Sequence, residues 1–359
     1  MHLLHVVGAR PNFMKVAPVM RALTVYPQVH QTLLHSGQHY DRSMSDVFFE
    51  QLGMPEPDVN LQVGSDTHAQ QTAAIMQRFE PVLLEKRPNF VLVYGDVNST
   101  VAAALVCSKL GVPIAHVEAG LRSFDRTMPE EINRLVTDQL SDLLLTPSED
   151  GDSNLLREGI IADRIRLVGN VMIDTLVRLL PIADAQSASL MNRLGVSRFG
   201  LVTLHRPATV DSPEVLLPIL ETLNEISKDL PIVFPIHPRT LAKLGGKVNH
   251  YLPSLKTVEP LPYLDFLALQ KHATVVITDS GGIQEETTYL GVPCLTVRDN
   301  TERPITVSIG TNTVIGRDPT AIKTAVGKVL QGSAKKGAIP PLWDGKASER
   351  IAKILVNMS

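Results

Sequence analysis

Residues 275–304, VVITDSGGIQEETTYLGVPCLTVRDNTERP, hold the residue types of an anion site. The apolar, β-branched run 275–278 has the pattern of a short buried strand. Asp279-Ser280-Gly281-Gly282 breaks it, and helical spacing resumes over 283–290. A strand, a glycine turn and a helix start together leave backbone N–H groups unpaired at the positive end of the helix dipole. Gly281 and Gly282 carry no side chain that would hold a phosphate away from the backbone. Arg303, in a loop after the next strand, could add a forked cation. An ordinary βα turn accounts for the same residues, and Glu285 and Glu286 suit the dipole in either case.

A second group of residues has the types needed for proton transfer. Asp96 and Glu118 each follow an apolar run, 90–94 and 114–117. Both carboxylates should therefore emerge at one sheet edge, where mutual perturbation can separate an acid from a base. Pro129-Glu130-Glu131 starts a helix, and Glu130 and Arg134 are four apart, a spacing that also suits a plain surface pair. His205 and His237 follow two later strands in the same way. His205, beside Arg206, could exchange a proton near neutral pH; a histidine that merely caps the sheet edge is the competing reading. Arg10 and Lys15 lie where the first strand turns into the first helix, the place where open α/β sheets bind ligands. That turn is not G-x-G-x-x-G, which argues against a dinucleotide-dependent oxidoreductase. Phe266, on a helix over 263–271, serves either the core or a base pocket.

The elements that must position these groups alternate between strand and helix. Strand, acidic turn, helix, Leu-Gly-Val-Pro and strand occur once around residues 90–117 and again around 275–297. The spacing is too long for a solenoid and reads as one βαβ element used in two domains. A chain of 359 residues accommodates two α/β domains, and 44% hydrophobic with 20% charged residues marks it as globular. A net charge of −3 gives no global attraction to nucleic acid or anionic membrane, so an anionic ligand must be held locally. Two isolated cysteines form neither a metal cluster nor a disulfide framework, which points to the cytoplasm. No apolar run approaches membrane-spanning length. Residues 183–200 look polar and weakly patterned.

Taken together, Gly8-x-Arg10-Pro11 with Lys15, Ser36-Gly37-Gln38-His39, Gly95-Asp96-Val97-Asn98-Ser99-Thr100, His116 to Arg122, Pro129-Glu130-Glu131-x-Asn133-Arg134, Gly169-Asn170, His205-Arg206, Thr278 to Glu286 and Arg298-Asp299-x-Thr301-Glu302-Arg303-Pro304 resemble the non-hydrolysing UDP-N-acetylglucosamine 2-epimerase family. The resemblance runs through nearly the whole chain in order. It implies an α/β protein of two Rossmann-like domains with parallel sheets facing across a cleft, the GT-B-like arrangement. The domains would be 1–170, with a C-terminal helix 347–359 returning to it, and a UDP-binding domain 171–346. It implies interconversion of UDP-N-acetylglucosamine and UDP-N-acetylmannosamine with no cofactor and no metal, commonly by a homodimer. Asp96, Glu118, Glu130, Arg134 and His205 would be catalytic. Arg10, Lys15, Phe266, Ser280, Gly281, Gly282, Glu286 and Arg303 would bind the UDP-sugar, with Glu286 taking the ribose hydroxyls. Gln38, His39 and His237 match the positions of an activator site. Pro207-Ala208-Thr209 departs from the family pattern there, and Ala9 and Asn12 leave room for a related sugar such as a 2,3-diacetamido uronic acid. A hydrolysing 2-epimerase, a GT-B glycosyltransferase and a non-catalytic UDP-sugar-binding protein are the alternatives.

Overall fold

The computed structural model describes residues 1–37, 51–245 and 247–358, without the Arg10 and Asn249 side chains. The chain divides into two compact units, 1–175 with 341–359, and 176–340.

In the first unit the strands are β1 (His2–Val7), β2 (His30–His35), β3 (Val59–Asn60), β4 (Phe90–Tyr94), β5 (Ile114–Val117), β6 (Leu143–Thr146) and β7 (Ile165–Leu167). They form one parallel sheet in the order β3-β2-β1-β4-β5-β6-β7. Helices cover the faces of such a sheet, so β4 and β6 are apolar at nearly every position rather than alternating. The strand order reverses direction between β1 and β4, and the turns that follow them begin at Gly8 and Gly95. Ligands of open α/β sheets bind at such a point.

The second unit repeats the plan with β8 (Gly200–Thr203), β9 (Ile232–Pro235), β10 (Lys256–Val258), β11 (Val275–Thr278), β12 (Cys294–Thr296) and β13 (Asn312–Val314). The parallel order is β10-β9-β8-β11-β12-β13. Its reversal lies between β8 and β11, whose ends lead to His205 and Asp279. Both sheets have the Rossmann order, so the chain is α/β with two parallel-sheet units.

The two Leu-Gly-Val-Pro segments do the same job. Helices Asn98–Leu110 and Gly281–Leu290 each end on a left-handed glycine, Gly111 (φ 67°) and Gly291 (φ 72°). Val112 N–H then donates to the Cys107 carbonyl and Val292 N–H to that of Thr287, each at 3.0 Å. This closes the helix end, and only glycine adopts that backbone without strain.

One segment differs from its sequence reading. Residues 183–194 are the second half of a 24-residue helix, Val171–Leu194, which carries the chain from the first unit into the second. Its buried positions there are only Ala183, Ser187 and Leu190, a narrow stripe at i, i+4 and i+7 that composition hides.

The C-terminal residues fold onto the first unit. Trp343 is buried and its indole N–H donates to the Pro147 carbonyl at 3.0 Å. Asp174 accepts from the backbone N–H groups of Ala347 (3.0 Å) and Ser348 (2.7 Å) at the start of the last helix, Ala347–Val356. That helix packs on Arg10–Leu23. Among the described residues no helix is long and apolar enough to cross a membrane.

Candidate active site

In the first unit, Asp96 and Glu118 stand just past β4 and β5, at the carboxyl edge of the sheet. The turns that carry them are unusual in their backbone. Gly95 has φ 64° and Gly120 φ 81°, and between them Glu118 itself has φ 73°. A non-glycine residue in the left-handed region stores strain and persists only where its surroundings over-determine it. Glu118 is held by its backbone N–H on the Leu145 carbonyl (3.0 Å) and by its side chain, whose Oε2 is 2.6 Å from Lys15 Nζ. Both side chains of this ion pair are buried. Gly95 leaves the space for it, because a Cβ there would lie 2.7 Å from Lys15 Nζ.

Lys15 is therefore committed to Glu118. The neighbouring turn is also self-satisfied: Asn12 Oδ1 accepts from the N–H groups of Gly8 and Ala9, each at 3.1 Å, while its Nδ2 donates to the Tyr94 carbonyl. Those amides are spoken for by the protein's own side chain. The Arg10 side chain, Gln38 and His39 lie outside the described residues.

Asp96 faces Arg134, which binds it through Nη1. Arg134 Nε and Nη2 also grip Glu131 Oε2, at 3.0 and 2.6 Å. The i,i+4 neighbour Glu130 is not part of this array. It is half-buried, and its side chain makes no hydrogen bond or ion pair among the described residues. Glu131 instead takes the Ser123 N–H (3.0 Å), the Ser123 hydroxyl (2.9 Å) and the Phe124 N–H (2.9 Å). Burial alone would raise the Glu131 carboxyl, but these bonds and Arg134 outweigh it and hold it below the ordinary range. Glu131 was not singled out from sequence; its signal was the second acid in the helix's first turn.

In the second unit, Asp279 directly follows β11 and is fully buried. It accepts from the backbone N–H groups of His205 (3.0 Å) and Arg206 (2.9 Å), and His205 Nδ1 lies 3.0 Å from its Oδ1. Burial would raise the Asp279 carboxyl; His205 and the two amides reverse that and lower it. This fixes the His205 ring by Nδ1 and leaves Nε2 as the nitrogen for other partners. The His237 ring sits 5.4 Å from that of His205, and its Nδ1 accepts the Arg239 N–H. The rule that flagged Asp96, an acid directly after a strand, also fits Asp279.

Ser280 caps and Gly281 starts the helix Gly281–Leu290. A Cβ on Gly281 would come 2.6 Å from Glu302 Oε1 and closer still to Arg303 Nη1, so glycine is what lets the loop 301–303 lie over this turn. Glu302 is buried and meets three guanidiniums: Arg298 (2.7 Å), Arg206 (3.3 Å) and Arg303. Arg303 Nε also pairs with Glu285 at 2.9 Å. Burial opposes the Glu302 charge, but Arg303, Arg206 and Arg298 together hold its carboxyl well below its usual value. Three guanidiniums thus converge on Glu302 and Glu285 beside a helix N-terminus, an arrangement suited to a phosphate.

Glu286, one turn into the helix, has no such cation among the described residues. Burial pushes its carboxyl up to about 7, against the Tyr263 hydroxyl that donates to it at 2.8 Å. Phe266 is half-buried on the helix Tyr263–His272. Among the described residues no three His, Cys, Asp or Glu side chains are grouped to hold a metal ion.

The chain as a whole is similar to known proteins. The family described as UDP-N-acetylglucosamine 2-epimerase matches residues 21–356. A UDP-N-acetylglucosamine 2-epimerase of Methanocaldococcus jannaschii is 43% identical over 364 residues, covering 99% of each chain. A Pseudomonas aeruginosa protein named UDP-2,3-diacetamido-2,3-dideoxy-D-glucuronate 2-epimerase is 40% identical over 368 residues, covering 100% of each. The crystal structure of the M. jannaschii UDP-GlcNAc 2-epimerase in complex with UDP-GlcNAc and UDP matches with a TM-score of 0.93, over 99% of this chain and 100% of that one. A lipopolysaccharide outer core galactosyltransferase, 12% identical with a TM-score of 0.58, shares the GT-B-like fold alone. The chain belongs to the UDP-N-acetylglucosamine 2-epimerase family.

Proposed function

We propose that this epimerase interconverts UDP-N-acetylglucosamine and UDP-N-acetylmannosamine without releasing the free sugar. The observation that carries this is the division of labour between two sheet edges. The first unit holds two carboxylates, each paired with a cation: Asp96 with Arg134, which Glu131 shares, and Glu118 with Lys15. The second holds a cluster of arginines at a helix N-terminus and a histidine tied to a buried aspartate. A relative 43% identical has been crystallised with UDP-GlcNAc and UDP.

The sugar C2–H adjoins no carbonyl, so a base alone removes it poorly. The first event is cleavage of the C1–O bond, whose electron pair goes to the departing diphosphate. The oxocarbenium character at C1 acidifies C2–H, a carboxylate takes that proton, and the electrons form the C1–C2 double bond of a 2-acetamidoglucal. Return of a proton to the opposite face of C2, with re-addition of UDP at C1, gives the epimer. Nothing is oxidised or reduced overall, so the reaction calls for no redox cofactor. Asp96, Glu118 and Glu130 are the proposed acid/base groups. Arg134 and Lys15 balance charge on the first two. The Ser280-Gly281-Gly282 turn and Arg303, with Arg10, stabilise the leaving diphosphate. His205, oriented by Asp279, exchanges a proton with it, and Glu286 accepts the ribose hydroxyls.

The test is proton NMR of the protein with UDP-N-acetylglucosamine in deuterated water. The reading expects UDP-N-acetylmannosamine carrying deuterium at C2. Free N-acetylmannosamine would make it a hydrolase, and an epimer retaining C2 hydrogen would exclude elimination. A second substrate arm is warranted by the Pseudomonas relative: a 2,3-diacetamido uronate turned over in place of UDP-N-acetylglucosamine would move the specificity, not the chemistry.

A further inference from the structure

His116 lies in the middle of β5 and is completely buried. Its Nδ1 is 2.6 Å from Asp138 Oδ1 and its Nε2 is 2.8 Å from the Gly95 carbonyl oxygen. A carbonyl oxygen only accepts, so Nε2 must carry hydrogen. Asp138 is ionised by its other contacts. Its Oδ2 accepts the Gly120 N–H at 3.1 Å and pairs with Arg122 Nη1 at 2.7 Å. An ionised carboxylate has no hydrogen to give, so Nδ1 must carry one too. With both nitrogens facing acceptors, the ring has no neutral tautomer that satisfies them.

The remaining charges around it close the account. Arg122, also buried, forms a fork with Glu158 at 2.8 and 2.6 Å. Two cations, His116 and Arg122, thus meet two carboxylates, Asp138 and Glu158, as a buried charge must.

What the ring holds is the base of the proposed acid pair. The Gly95 carbonyl belongs to the residue before Asp96. The Gly120 amide, held through Asp138, lies two residues beyond Glu118. Both turns have left-handed backbone, and Glu118 has it without being glycine. We propose that His116 is a positioning residue that works as a buried imidazolium, clamping the Asp96 turn directly and the Glu118 turn through Asp138. The assignment of its purpose rests on the function proposed above; the two ring protons do not.

The experiment uses the full chain labelled with 15N-histidine. Long-range proton–nitrogen spectra at pH 7.5, with His116→Gln to assign the signal, should show both His116 ring nitrogens in the protonated pattern. One unprotonated nitrogen overturns the proposal. In steady-state assays His116→Gln should lower kcat about 100-fold, the usual cost of a displacement near 1 Å, with KM for the UDP-sugar changed less than about threefold. A variant with kcat within threefold of the parent also overturns it. Should His116→Gln fail to fold, the signal is assigned by His116→Asn or by its couplings in the parent protein, and the ring spectrum decides alone. A parent protein inactive on every UDP-sugar refutes the proposed function, yet leaves the ring spectrum to decide this inference separately.

Discussion

Each unit sets a histidine against an aspartate, and the two pairs have been put to different uses. In the first, His116 and Asp138 are both fully buried and 2.6 Å apart, and the second ring nitrogen is taken by the Gly95 carbonyl. In the second, Asp279 is buried, but the His205 side chain is 38% exposed, with only Nδ1 turned to the acid at 3.0 Å. The chemical groups are the same. The number of acceptors facing the ring differs, and that number decides the role. A ring with both nitrogens engaged is a brace, whereas a ring with one engaged can still exchange a proton.

The hardest way to break this contrast is Asp138→Asn. It leaves His116 and Arg122 buried with one carboxylate fewer, so unfolding in urea should show a loss of about 3–5 kcal/mol. A loss under about 1 kcal/mol would mean that the first pair is no brace. Asp279→Asn should instead act on turnover. Freed from its fixed orientation, His205 should cost kcat on the order of 100-fold, and the pH–rate profile should change shape. An unchanged profile would place His205 outside the chemistry.

Two further tests stay within the second unit. Gly281→Ala would drive a methyl group into Glu302 and Arg303, both buried, and so disturb the proposed diphosphate cradle. Calorimetry should show UDP binding weakened about tenfold, or about 1.4 kcal/mol. The smallest effect concerns Glu286, whose carboxyl is raised to about 7 by burial. As an acceptor for ribose hydroxyls it must be ionised, so UDP affinity should hold above that pH and fall, about threefold between pH 7.5 and 6.5, as protons compete. Glu286→Gln should bind more weakly and lose the dependence. Glu302, held ionised by three arginines, gives no such titration in this range.

The local features of this chain were legible in its sequence. Apolar runs followed by Asp96, Glu118, His205 and Asp279 mark strand ends, because a buried parallel strand is largely apolar and these charged or polar groups follow it at the sheet edge. Leu-Gly-Val-Pro marks two helix ends because a left-handed residue is needed there. The helical half of 183–194 was missed because its buried face is only three residues wide and includes a serine.

Sequence alone thus determined the strand–turn–helix units and which acids stand at their ends, since both follow from the conformational preferences of a few adjacent residues. Partnership was decided by the tertiary structure. Lys15 reaches Glu118, and Arg134 binds Asp96, 38 positions away, in preference to Glu130, four away. Three arginines converge on Glu302, and His116 spans Gly95 and Asp138. Such pairings depend on which strands lie side by side, and strand order is a property of the whole sheet that no short stretch of chain contains.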